Sequence, residues 1–339
     1  MKTFYFSIIA SAFFISCNQK ISDIYFTENI KNVNPHKVES ITLDGDLVLN
    51  DMIGIGNFET TNQYLCLFTT PLDTLFHLYS LDGSYLAAFG IKGQGPNDFG
   101  SVRANGIKNT EQGQEYLWIN DVNAASLKRL NITESIKKNQ CIVDSIIRIT
   151  PMSINAFYSN NHSIIQEIMT PNNFELVIKK NEEVQKEELY KINTPHPFNT
   201  YKNTMRHNSD LNMLISAMVS INQINFLNLR TKERYSICVG EHTNMENIID
   251  KKTNTNKWIY YTDLRITENY IFALFLNQNY QDAYVKEKPI EIQMFTKDGN
   301  LLKIIHIKEY LKNICITEDE STIYGLVGDH SIYKYHITP

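Results

Sequence analysis

Phe89-Gly90-Ile91-Lys92-Gly93-Gln94-Gly95-Pro96-Asn97-Asp98-Phe99-Gly100 is the stretch that decides how this chain folds. Four glycines and a proline within it exclude a helix interior or a central strand. Upstream lie three strand-like runs, Tyr64–Phe68, Leu75–Tyr79 and Tyr85–Phe89. The last two are joined by Asp82-Gly83, the strongest short-range hairpin signal. The stretch therefore reads as a shaped loop that ends one unit of strands and opens the next.

The unit recurs. Ile292–Leu302, with Asp298-Gly299 at its turn, repeats the pattern of Leu78–Leu86 in residue type. Runs beginning near Tyr64, Tyr116, Ser163, Leu214, Tyr270 and Ile323 mark successive units. A period of about 50 residues with four short strands per unit is the signature of a β-propeller. No segment sustains a 3.6-residue period, which argues against a parallel α/β fold. An open sandwich of irregular repeats is the competing layout. The last unit ends at Tyr335 with no room for a fourth strand, whereas Ser40–Leu43 is a strand-like run without a partner. The expectation is an all-β, six-bladed propeller over 38–339, with the strand near Ile41 entering the last blade and removing two exposed sheet edges.

Composition narrows the function classes. The net charge of -5 in 339 residues removes the electrostatic case for nucleic acid. The N-terminus reads as an export signal: Lys2, an apolar run from Phe4 to Ile15, then Ser16-Cys17. The run is too short to span a bilayer. Ser16-Cys17 resembles the end of a bacterial lipobox, in which the Cys is acylated, although Phe14 stands where Leu is usual. An ordinary secretory signal would leave the same apolar run. The expected layout is a signal peptide over 1–17, a tether over 18–37, and lipid attachment at Cys17 in the cell envelope, with the outer membrane favoured. Cys66, Cys141, Cys238 and Cys315 sit in short apolar runs without metal-ligand spacing and read as small buried residues.

The segment Phe89–Phe99 resembles the "GxKGQGPGEF" segment of the six-bladed, TolB-like propeller lipoproteins of Bacteroidetes, which are also similar to NHL-repeat propellers. Asn97 and Asp98 stand where that pattern has Gly and Glu, so the carboxylate is kept in type. The resemblance implies a fold and an envelope location, with no settled activity.

Gly93, Gln94, Gly95, Pro96 and Phe99 read as a structural loop: it lacks the Lys-Ser/Thr ending of a phosphate loop and opens no helix. The histidines show no metal-binding spacing, and no Gly-x-Ser-x-Gly elbow is present. No catalytic residue, metal or cofactor is assigned. The long connections Phe89–Gly100, Asn193–Asn208, Gly240–Lys257 and Asn277–Pro289 all belong on one face of a propeller, and such elaboration marks the working side. Arg103, Phe198, Tyr201, Arg206, His207, Arg265 and Tyr280 are the candidate residues of that face. The favoured reading is a non-enzymatic module binding a protein, peptide or glycan. The alternative is a lyase or hydrolase acting at the channel mouth.

Overall fold

The computed structural model describes residues 30–338, apart from 51, 71, 96, 191–192, 244–257, 284–289 and 329. Six sheets, each built on four antiparallel strands, surround a central channel. From the axis outward, blade 1 is Ile55–Thr60, Tyr64–Thr69, Thr74–Ser80 and Tyr85–Ile91. The inner strands of blades 2 to 6 are Val102–Glu111, Ser153–Tyr158, Asn203–Asn208, Trp258–Ile266 and Leu311–Ile316. Alternating apolar positions on both faces of each sheet have to be covered by the neighbouring sheets. The core is accordingly divided among the blade interfaces. Phe272, Ile292 and Ile305 meet Ile314, Ile323 and Tyr335 between blades 5 and 6. Leu65 and Leu67 meet Leu326 and Ile332 where blade 1 returns to blade 6.

The glycine-rich stretch is a clasp between blades 1 and 2. The Phe99 amide donates to the Ile91 carbonyl and the Gly93 amide to that of Phe99, both at 3.1 Å. Asp98 folds back to accept from the Gly95 amide at 2.8 Å. A Cβ on Gly93 would lie 2.3 Å from that carboxylate, so the turn needs glycine there. Phe99 is fully buried, edge-on to Phe76 of blade 1 at 4.9 Å. On the blade 2 side, Asp121 accepts from the Gly100 and Ser101 amides and pairs with the buried Lys128 ammonium at 3.0 Å. That ammonium lies 4.6 Å over the Phe99 ring. Gln94 is exposed, and Pro96 lies outside the described residues.

Two sequence expectations need correction. The strand containing Ile41, Glu39–Leu43, does not enter the last blade; it pairs in parallel with Leu301–Ile307 and forms a fifth, outermost strand of blade 5. Ring closure belongs to the next segment, Asp46–Leu49, antiparallel to Ser331–His336 in blade 6. The reason is reach: closing the last blade and then entering blade 1 at Ile55 suits the strand nearest blade 1. Gly45, at the bend between the two strands, packs on Tyr335, where a Cβ would come within 2.5 Å of the ring. The second correction concerns 18–37. Ile30–Val33 forms a parallel outer strand on Arg234–Val239 of blade 4, and Pro35–Lys37 is a 3-10 turn capped by the Asn34 side chain. The folded domain thus begins by residue 30, and its first strands dress blades 4, 5 and 6 in succession.

Deleting residues 1–43 should leave a closed, cooperatively melting ring that has lost two outer strands. Extending the deletion through Leu49 strands the ladder groups of Ser331–His336. Each buried unpaired group costs about 1–3 kcal/mol, so the longer deletion should aggregate or melt without cooperativity. Calorimetry and size-exclusion profiles of the two variants check this; equal behaviour would contradict the closure assignment.

Candidate functional site

The blades are sewn together around the channel. The Lys108 ammonium donates to the Thr60 carbonyl at 3.0 Å and the Asn105 amide to that of Ala156 at 3.0 Å. The Asn203 amide donates to Glu167 at 2.7 Å and the Thr204 hydroxyl to the Thr262 carbonyl at 3.3 Å. The Ile314 amide donates to Asp263 at 3.0 Å, and the Thr60 hydroxyl closes the circuit on the Ile316 carbonyl at 3.2 Å. Every pair of neighbouring blades is bridged by one of these bonds.

Across the axis lies a charge-balanced cluster. Arg265 is buried and its guanidinium donates to Glu59 and, at 3.1 and 3.2 Å, to Asp263. Asp263 also accepts from Arg206 at 3.3 Å. Burial disfavours the Arg265 charge, but Asp263 and Glu59 more than compensate and hold its pKa well above the ordinary value. Arg206 is held below its ordinary value by burial and by the neighbouring Arg265 charge. Gly106, at a left-handed φ of 77°, lets the Arg206 stem lie against the blade 2 strand.

This cluster separates two vestibules, with Arg206 contributing to both. The one on the side of the hairpin turns has a volume of about 430 Å³ and carries Asp210, Glu268 and Glu318 at its rim. The one on the long-loop side measures about 610 Å³. Lys92, Arg103 and Lys202 stand in its wall with a set of asparagines that includes Asn57, Asn105, Asn155, Asn203 and Asn313. Among the described residues no carboxylate is ion-paired to these three cations. Lys202, exposed as a residue, has its ammonium held below the ordinary pKa by desolvation and by the Arg103 charge. Beside this vestibule, and sharing Lys202, Asn203, Thr204 and Thr262 with it, a groove of about 240 Å³ is lined by Phe198, Trp258 and Tyr280. These three residues are 41, 48 and 37% exposed.

The structure sorts the sequence candidates. Arg103, Phe198 and Tyr280 lie on the long-loop face. Tyr201 does not: within the short helix Pro197–Tyr201 it turns inward and stacks on Tyr190 at 4.2 Å, fully buried. Arg265 is likewise removed from the surface, because the carboxylates of Glu59 and Asp263 hold it in the channel wall. Arg206 lies in the channel interior, and His207 faces the opposite vestibule, where burial lowers its pKa to about 4. The loop spans 244–257 and 284–289 lie outside the described residues.

Residue type and pattern alone do not single out the asparagines or Trp258. A signal existed for three of them: Ile55-Gly56-Asn57, Ser153-Ile154-Asn155 and Leu311-Lys312-Asn313 open inner strands, and each is a register shift against the second strand. Such bulges re-aim side chains toward sites. Among the described residues no group of three or more His, Cys, Asp or Glu could hold a metal ion, and no helix is long and apolar enough to cross a membrane.

The model of the TolB-like 6-blade propeller-like family matches residues 57–319. The chain belongs to that family. This TolB-like propeller is similar in fold to a DUF4221 family member from Bacteroides vulgatus, at 12% identity and a TM-score of 0.55, over 88% of this chain and 95% of that one. It is also similar to a Bacteroides fragilis protein whose name assigns it to export, at 9% identity and a TM-score of 0.57, over 89% and 99%. At these identities the likeness concerns the fold. No curated protein matches the sequence.

Two outcomes test the site of this TolB-like propeller. Arg265→Leu leaves Glu59 and Asp263 buried without their cation, which should cost about 3–5 kcal/mol in denaturant unfolding; a loss under about 1 kcal/mol would contradict the cluster's role. Glu167 is buried behind the vestibule wall, with the Asn155 and Asn203 amides on its two oxygens at 2.5 and 2.7 Å. Burial pushes its carboxyl up to about 7, against those amides and the Arg103 charge. The folded state thus holds this proton more tightly than the unfolded chain. The stability it contributes is present below the unfolded pKa of about 4.3 and is lost as pH rises through about 7, by roughly 4 kcal/mol. Glu167→Gln should flatten that decline between pH 5 and 8; unfolding midpoints that fall as steeply in the variant would refute it.

Proposed function

We propose that this TolB-like propeller is an exported, lipid-anchored envelope protein that binds a ligand, without turning it over, in the vestibule on its long-loop face. The observation that carries the binding reading is the vestibule wall: three unpaired cations among amides, open to solvent and built on rigid inner strands. Its lining carboxylate, Asp263, accepts five hydrogen bonds, from Arg206, from Arg265 twice, and from the Leu264 and Ile314 amides. A carboxylate so engaged is a poor general base.

The anchoring reading rests on the Ser16-Cys17 ending of the apolar run, outside the described residues, and on the resemblance to exported propeller lipoproteins. Multiple acyl chains hold a protein on a bilayer stably. Asn18 and Gln19 favour the outer membrane, since an Asp after the Cys is the retention signal for the inner one. Its partners are then the membrane and an envelope protein, peptide or glycan.

Cys17→Ser should move the protein from the membrane to the soluble fraction and abolish labelling by a fatty-acid analogue. Unchanged fractionation without label in the parent would refute the anchor. For the binding reading, Arg103→Gln with Lys202→Gln should remove ligand-induced thermal stabilisation in a screen of sugars and peptides. Asp82→Asn on the opposite face should leave it intact. Stabilisation lost only with the Asp82 change would place the working side on the other face.

A further inference from the structure

We propose that the occupant of the vestibule and the aromatic groove is an anionic oligosaccharide, with sugar rings on Trp258, Phe198 and Tyr280 and an acidic group at Arg103 and Lys202. The proposal rests on the ligand-binding reading given above and adds the chemical class. Three observations converge on it.

The first is charge. Lys92, Arg103 and Lys202 enter the vestibule wall, and Arg103 makes one long bond, its guanidinium to the Ile154 carbonyl at 3.5 Å. Most of its donors are left for a carboxylate or sulfate, which a guanidinium grips in a bidentate way. The second is the wall chemistry. Side-chain amides and the Thr70 hydroxyl both donate and accept, which matches the mixed pattern of neighbouring sugar hydroxyls.

The third is shape. The aromatic groove and the vestibule share Lys202, Asn203, Thr204 and Thr262, so one extended ligand spans both. Solvent-exposed aromatic rings offer flat apolar faces to the C–H faces of sugar rings, and Trp gives the widest platform. A peptide would favour anchor pockets or an unpaired strand edge. The inner strands that build this wall are sheet edges, but three of them carry bulges at Asn57, Asn155 and Asn313, which twist an edge away from strand addition.

The test is calorimetric titration of the detergent-solubilised full chain. The probes are fragments of uronic-acid homopolymers and of sulfated glycans, a methyl-esterified uronate fragment, and an oligoglutamate of matched charge. The expected result is binding of at least one acidic saccharide. That binding should weaken at least tenfold in Trp258→Ala, at least tenfold in Arg103→Gln with Lys202→Gln, and at least tenfold on methyl esterification. The first variant should keep the parent's salt dependence and the second should lose most of it. Circular dichroism melts within a few degrees of the parent confirm that both variants fold. Binding of oligoglutamate but no saccharide, through Arg103 and Lys202, would overturn the saccharide and leave the vestibule reading standing. Saccharide binding untouched by Trp258→Ala would also overturn the proposal. Absence of binding by every probe would overturn it too, and the general reading would then stand or fall on the thermal screen above.

Discussion

Two arginines and two carboxylates share the axis of this propeller, and the rest of the structure is arranged around their balance. Arg206, Asp263, Arg265 and Glu59 come from the inner strands of blades 4, 5 and 1, and Asp263 also takes the Ile314 amide of blade 6. Burying four charges is costly unless each finds geometry good enough to replace its water. Here the replacement is nearly complete, and it can be complete only when four blades stand at one separation around the axis. The cluster therefore acts as a gauge of ring size as well as a plug. It also gives the channel its two ends: acidic side chains gather at the hairpin-turn rim, and cations with amides line the long-loop end.

The fold was legible because its signals are local. Asp82-Gly83 and Asp298-Gly299 are hairpin turns with left-handed glycines, at φ 91° and 80°, as their sequence dictates. The glycine-rich stretch ends blade 1 and opens blade 2, and Phe99 fills the space between them. Strand destination was not legible. Glu39–Leu43 and Asp46–Leu49 are both short, half-apolar runs, and nothing within either says which sheet edge it will meet. That choice is made by chain reach and by the order of the blades, which are long-range properties. The same holds for Ile30–Val33, whose parallel pairing to blade 4 leaves no mark in a polar segment. The seven-residue helix Ile132–Lys138, capped by Asn131 inside blade 2, is too short to raise a periodic signal.

The site was legible in part, for an instructive reason. Arginine on an inner strand has two fates. Arg103 meets no carboxylate and faces the vestibule, whereas Arg265 meets two and is withdrawn into the wall. The partners that decide between these fates lie in other repeats, so residue type alone cannot separate them. Tyr201 fails similarly, because Tyr190 offers it a stacking face inside the core. Asparagines carry little signal because their abundance reads as background. For Asn57, Asn155 and Asn313, only the register just inside the bulged openings of inner strands gives them meaning.

The central claim is that charge divides this channel into an anion-accepting end and an anion-excluding one, with a neutral plug between. Anomalous diffraction from a crystal soaked in bromide tests it most directly. The account predicts bromide beside Arg103 and Lys202 on the long-loop side, with none at the rim formed by Asp210, Glu268 and Glu318. Bromide at that acidic rim, or lodged between Arg206 and Arg265 in place of Asp263, would contradict it.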